Sequence, residues 1–138
     1  MVRSINLGEV RELAFVLAKK HLEWDEPIPS FKTRNPQILE SCLIVPFQVF
    51  DKKELYRGLT RKAAVLFYLM IKNHPFQNGN KRIAVTTLLV FLAKNGKWIK
   101  VDNREFYNFA KWVAESNSKL KDEVINAIKS FIEKHISS

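Results

Sequence analysis

The stretch NHPFQNGNKRIAV, residues 73–85, decides how this chain is read. It sets His74, Gly79, Lys81 and Arg82 among asparagines, directly before an apolar run. A plain loop needs glycine and asparagine; it has no use for an imidazole and two adjacent cations. Pro75 disfavours helical geometry at His74, so a preceding helix ends near Asn73. A new helix starts near Asn80. Its residues Ile83, Ala84, Val85, Leu88, Leu89, Val90, Phe91 and Leu92 leave little polar face, the pattern of a central buried helix. Asn95-Gly96 supplies its stop.

Helical periodicity continues in both directions. Upstream, Ala63, Ala64, Phe67, Leu69, Met70 and Ile71 give Gly58 to Asn73 a broad apolar face. Val10, Leu13, Ala14, Leu17 and Ala18 mark a first amphipathic helix from about Leu7 to Leu22. The prolines of WDEPIPS end it. Asn35-Pro36 has the form of an N-cap followed by proline at the first helical position, opening a short helix to about Ser41. Leu43 to Phe50, LIVPFQVF, is β-branched and aromatic with Pro46 inside it, which predicts an extended edge segment or flap. Downstream, Asp102 and Glu105 have capping-box spacing before a helix with Phe106, Phe109, Ala110 and Val113 inward. A last helix runs from about Leu120 to Ile136, with Leu120, Val124, Ile128 and Phe131 inward. The expectation is a single all-α domain over residues 1–138 with one β excursion, the flap at about 43–50 and the motif loop and helix at about 74–94.

Composition narrows the function classes. A chain of 138 residues, nearly half of them apolar, is long enough for a core and a poor candidate for disorder. Its net charge of +9 favours an anionic partner, although a lysine-rich soluble surface explains it equally well. The single cysteine, Cys42, allows no internal disulfide, which fits a reducing, cytoplasmic setting. Its apolar surroundings argue against a nucleophilic role. No targeting segment is read at the N-terminus, and the apolar run at Ile83 to Ala93 is too short to span a bilayer. His21 reads as a helix-surface residue and His135 as a complement to a helix C-terminus. Trp24, Trp98 and Trp112 read as core or rim packing. No cysteine–histidine metal spacing occurs.

The loop Asn78-Gly79-Asn80 leads into a helix N-terminus, where unpaired N–H groups and the positive end of the macrodipole converge. Glycine permits close approach and positive φ. Asparagine amides add donors, and Lys81 and Arg82 add charge. Together they describe an anion cradle suited to phosphate. His74 at the opposite lip is placed to take a proton from a hydroxyl while the cradle holds the transferring group. The adjacent cations favour its neutral, proton-accepting form. On these residues alone, a helix–turn–helix joint whose polar groups merely cap two helices is an equal alternative.

HPFQNGNKR resembles the signature of the Fic/Doc (Fido) family, H-[PX]-F-x-[DE]-[GA]-N-[GK]-R. His74, Pro75, Phe76, Gly79, Asn80, Lys81 and Arg82 match, and the order of flap, ELYRGL turn (Glu54 to Leu59), helix and motif also agrees. The resemblance covers about residues 7–115 and is nearest the Doc-like, death-on-curing branch. It implies a helical bundle with a β-hairpin flap before the motif helix. It also implies transfer of a phosphate from ATP, with Mg²⁺, to a Ser, Thr or Tyr hydroxyl of a target protein. His74 would be the general base and Phe76 a loop anchor; Gly79, Asn80 and Arg82 would hold phosphates. Lys81 stands where AMP-transferring members commonly carry glycine and where the Doc-like branch, known for phosphorylating a threonine of elongation factor Tu, carries lysine. It therefore implies phosphate rather than AMP transfer and a translation factor as one candidate target.

Two departures stand out. Asn78 replaces the usual acidic metal ligand; its amide oxygen can ligate Mg²⁺ without charge, so the metal would depend on the nucleotide's own phosphates. Ile83 stands where threonine is common. The segment Ile44, Val45, Pro46, Phe47, Gln48 and Val49 would hold the target by edge-strand pairing, or else simply cover the core. No [ST]-x-x-x-E-[GN] inhibitory pattern occurs, since Thr60 is followed by Ala64 and Ser118 by Asp122. Restraint would then come from a separate antitoxin. Three readings stay open: a toxin-type transferase moving phosphate or AMP, a catalytically silent binding module, and a basic nucleic-acid binder. The last lacks any basic recognition helix.

Overall fold

The computed structural model describes residues 1–21 and 27–138. The chain is predominantly helical, with two short antiparallel strand pairs among the described residues. The all-α expectation holds.

The first rod begins at α1 (Leu7–Glu9), passes through a π-helical turn (Val10–Ala14) and continues as α2 (Phe15–His21). Its start is a reciprocal capping box: Glu9 N–H donates to Asn6 Oδ1 at 2.8 Å, and Asn6 N–H to Glu9 Oε1 at 2.9 Å. The π turn, in which Phe15 N–H reaches back to Val10 O, shifts the helical phase. Val10, Ala14, Phe15 and Ala18 therefore face the core, whereas Leu13, expected inward, is 48% exposed. His21's side chain and Trp24 lie outside the described residues.

α3 (Pro36–Ile44) starts as expected, with Asn35 Oδ1 accepting from Ile38 N–H at 3.1 Å and proline in the first turn. It does not stop near Ser41. Leu39, Cys42 and Leu43 bury a helical stripe, and a 3₁₀ turn (Val45–Phe47) follows with Pro46 buried in its first turn. The extended segment expected at 43–50 is thus helical through Leu43, Ile44, Val45, Pro46 and Phe47. β-Branched composition favoured a strand, but burial against the core decided for helix, and proline is harmless where no helical N–H is required. The hairpin lies further on. β1 (Val49–Phe50) pairs with β2 (Lys53–Glu54) across Asp51-Lys52, whose φ values of 52° and 63° build a two-residue primed turn.

α4 (Leu59–Lys72) is buried at every residue from Lys62 to Ile71 and packs against α5 (Asn80–Lys94) and α7 (Lys121–His135). The core axis is therefore α4 as much as α5, whose Leu89 and Val90 are only half-buried. α6 (Asn103–Glu115) is capped by Asp102, whose carboxylate accepts from Arg104 and Glu105 N–H. Lys72 Nζ closes the far end of α6 by donating to Ala114 O and Ser116 O. In α7, Val124, Ile125, Ile128 and Ile132 point inward, while Leu120, expected inward, is half-exposed before the helix begins. β3 (Trp98–Ile99) pairs with β4 (Ile136–Ser137), tying the last residues to the end of α5; two-residue strands carry no readable alternation. Trp112 stacks on Phe109 at the rim, and Phe109 lies flat on Phe131 at 4.0 Å between centroids. His135 Nε2 lies 3.1 Å from Glu105 Oε2. Among the described residues no helix is long and apolar enough to cross a membrane.

Candidate functional site

The site is a loop between two buried helices, and each of its residues has a distinct local role. α4 ends at Asn73, and His74 follows with φ of 49°, a left-handed conformation that a non-glycine residue adopts only when its neighbours enforce it. The enforcement comes from both sides. Pro75 is buried, and its carbonyl accepts from Asn35 N–H at 2.8 Å, which ties the loop to the cap of α3. Phe76 is 3% exposed and sits with Phe15 and Phe31, ring centroids 5.5 and 5.9 Å away. With the backbone held this way, His74 itself faces solvent.

Gly79 begins α5 with φ of 72°, and here glycine is required twice over. A Cβ at this position would lie 3.0 Å from Pro27 O and 2.7 Å from Ile28 Cδ1, so the 27–28 segment packs directly on the loop. Asn80 is buried, and its amide is a strut across the loop. Oδ1 accepts from Phe76 N–H at 3.0 Å, Nδ2 donates to Phe76 O at 2.9 Å, and Nδ2 also lies 3.4 Å from His74 Nδ1. No side chain caps α5 and no acidic residue lies in its first turn. Neither the cap residue nor the first turn supplies a negative group to the positive end of the helix.

The two cations differ. Lys81 is half-buried. Arg82 is 8% exposed and its Nη2 donates to Ala18 O in α2; burial lowers its pKa. Part of its donor set thus braces the first rod against α5. Asn78 and Gln77 are exposed at the loop tip. Beside the loop, Gln37, Ile38 and Ser41 of α3 and Asn73 line a cavity of about 370 Å³.

Among the described residues no group of three His, Cys, Asp or Glu side chains could hold an ion. Asn78, exposed at the loop tip, offers a neutral amide oxygen in place of a carboxylate. Cys42 is fully buried, and burial pushes its thiol up to about 12, so it takes no part.

The hairpin that follows α3 is held by a residue the sequence did not single out. Lys62 of α4 is 1% exposed, a charged side chain among the largest fully buried ones of the described residues. Its Nζ donates to Glu54 Oε1 at 2.9 Å and to Tyr56 O, and it lies 5.6 Å from the centre of the Phe47 ring. Val49 and Phe50 stand 60% and 74% exposed on the hairpin. In sequence Lys62 follows Arg61 and reads as solvent-facing; no signal marked it. The Pro27–Ile28 contact was likewise invisible, because it joins segments far apart in the chain.

A protein-family model described as the Fic/DOC family matches residues 4–92, well over half of the chain. The chain belongs to the Fic/DOC family. Members of that family are usually transferases that move a nucleotidyl or phosphoryl group onto proteins. No curated protein and no solved structure matches the chain.

Proposed function

We propose that this protein transfers the γ-phosphate of ATP to a hydroxyl of a target protein, with His74 taking the hydroxyl proton. The observation that carries the reading is the placing of a solvent-facing His74 beside the start of α5, with its Nδ1 3.4 Å from Asn80 Nδ2 and a glycine at the cap. The triphosphate would lie on the N–H groups of Asn80, Lys81 and Arg82, with Lys81 and Asn78 at its edge. Lys81 in place of the glycine of AMP-transferring relatives supports phosphate over AMP as the transferred group. Metal would arrive with the nucleotide, Asn78 adding at most one oxygen. The exposed edge of Val49-Phe50 supports docking of the target by strand pairing. The basic chain fits the toxin half of a toxin–antitoxin pair acting in the cytoplasm, with a translation factor as the candidate target.

The test is transfer of radiolabel from γ- or α-labelled ATP to protein in the presence of Mg²⁺ or Mn²⁺. Label from the γ position, lost in His74→Ala while the far-UV spectrum is unchanged, is the expected result; α-label alone assigns AMP transfer. Label from neither position refutes both.

One observation favours a second reading. Asn78 is exposed and uncharged where the family carries an acidic residue. A catalytically silent member that binds a partner through its hairpin would have lost that carboxylate without penalty. Asn78→Asp should then sharply raise Mg²⁺–ATP affinity in calorimetry, and an unchanged affinity counts against this reading.

A further inference from the structure

The amide of Asn80 has no freedom of orientation. Its Oδ1 accepts from Phe76 N–H at 3.0 Å and its Nδ2 donates to Phe76 O at 2.9 Å. Exchanging oxygen and nitrogen would set donor against donor and acceptor against acceptor, so the Phe76 peptide dictates which atom is which. Asn80 is 7% exposed, so these bonds are largely shielded from water. His74 Nδ1 lies 3.4 Å from Nδ2, within reach of its remaining hydrogen. A donor on that side requires a lone pair on Nδ1. A neutral imidazole with its lone pair on Nδ1 carries its proton on Nε2.

We propose that Asn80 is a positioning residue that sets the tautomer of His74, holding the neutral ring with Nε2 protonated and Nδ1 as the proton acceptor. The chemical meaning of this assignment rests on the transferase reading. Nδ1 is turned toward the first residue of α5, the end of the helix where a phosphate chain would lie. The acceptor hydroxyl therefore approaches His74 from that side and takes the place of the Asn80 N–H at Nδ1. In the transfer, the hydroxyl oxygen forms its bond to the γ-phosphorus. The bridging P–O bond breaks with its electron pair leaving on ADP, and the hydroxyl proton moves to Nδ1. The left-handed backbone at His74, the Asn35–Pro75 hydrogen bond and the buried Phe76 ring fix the segment from which the imidazole projects.

The tautomer is measured directly on ¹⁵N-labelled protein, from two-bond proton–nitrogen correlations at a pH where imidazoles are neutral. His74 is identified as the ring missing in His74→Gln. The unmodified chain should show His74 with Nε2 protonated. Asn80→Asp keeps size and shape but presents an acceptor to Nδ1, and should reverse the ring to the Nδ1–H form. A Nδ1–H ring or an even mixture in the unmodified chain overturns the proposal. So does a folded Asn80→Asp protein with the tautomer unchanged. Neutral imidazoles in water already favour Nε2–H, so the comparison with the variant carries the test; should Asn80→Asp not fold, Asn80→Ala is read in its place, and an unchanged tautomer ratio there overturns the proposal. Neither nucleotide nor target enters this measurement, so its failure is distinct from a failure of γ-label transfer.

Discussion

The clamp at Lys62 predicts an asymmetry between its two partners. The lysine side chain is 1% exposed, whereas that of Glu54 is 52% exposed. Glu54→Ala strands a buried ammonium on the Tyr56 carbonyl and the Phe47 ring alone. Removing one partner of a fully buried pair costs about 3–5 kcal/mol. Because Glu54 is half in water and the other two contacts remain, the discounted expectation is about 2–3 kcal/mol. Lys62→Met retains an unbranched apolar side chain of similar volume and releases a carboxylate that water already reaches, so its global cost should stay under about 1.5 kcal/mol. Both variants should loosen the hairpin, since each cuts the tether between α4 and β2. Urea midpoints at constant m-value give the two costs. Hydrogen exchange of Leu55 N–H, which donates to Gln48 O at 3.0 Å, reports the hairpin. Equal costs, a larger cost for Lys62→Met, or unchanged exchange at Leu55 would refute the clamp.

Three further outcomes follow from the packing. Gly79→Ala must adopt φ of 72° and push against Pro27 O; the strain and the contact together should cost about 2–3 kcal/mol, read from the thermal midpoint. Cys42, buried with its thiol pushed up to about 12, should react with iodoacetamide at neutral pH only as fast as the protein opens, so labelling at the rate of a free thiol would contradict the core. Burial pushes the Glu9 carboxyl up, but Lys94, the Asn6 N–H and the nearby charge more than offset this and leave its pKa below the usual 4.5. Its contribution is therefore present above the unfolded value and lost as pH falls through the folded one. Glu9→Gln should flatten the acid side of the stability profile below about pH 4.5 and nowhere else.

Much of the fold could be read from local pattern. Gly58, Asn73, Asn95-Gly96, Asn35-Pro36 and Asp102 delimit helices through capping chemistry confined to a few neighbouring residues, and the structure begins or ends helices at each. The hairpin was misplaced because LIVPFQVF has strand composition while its first half completes a buried helical stripe with Leu39 and Cys42. Composition speaks for local preference; which face meets the core is not local. Leu13 failed for a related reason, since a π turn shifts the stripe by a fraction of a turn.

At the site, the identities of His74, Gly79, Asn80 and Phe76 were legible because they stand together in the chain and each has a distinctive chemistry. Their division of labour was not. Tertiary structure alone turned Arg82 toward the Ala18 carbonyl, drew the Asn80 amide across the Phe76 peptide and laid Pro27 against Gly79. It also buried Lys62 beneath the hairpin. A side chain's chemistry is written in its identity, whereas the partner that spends its donors is chosen by segments that meet only after folding.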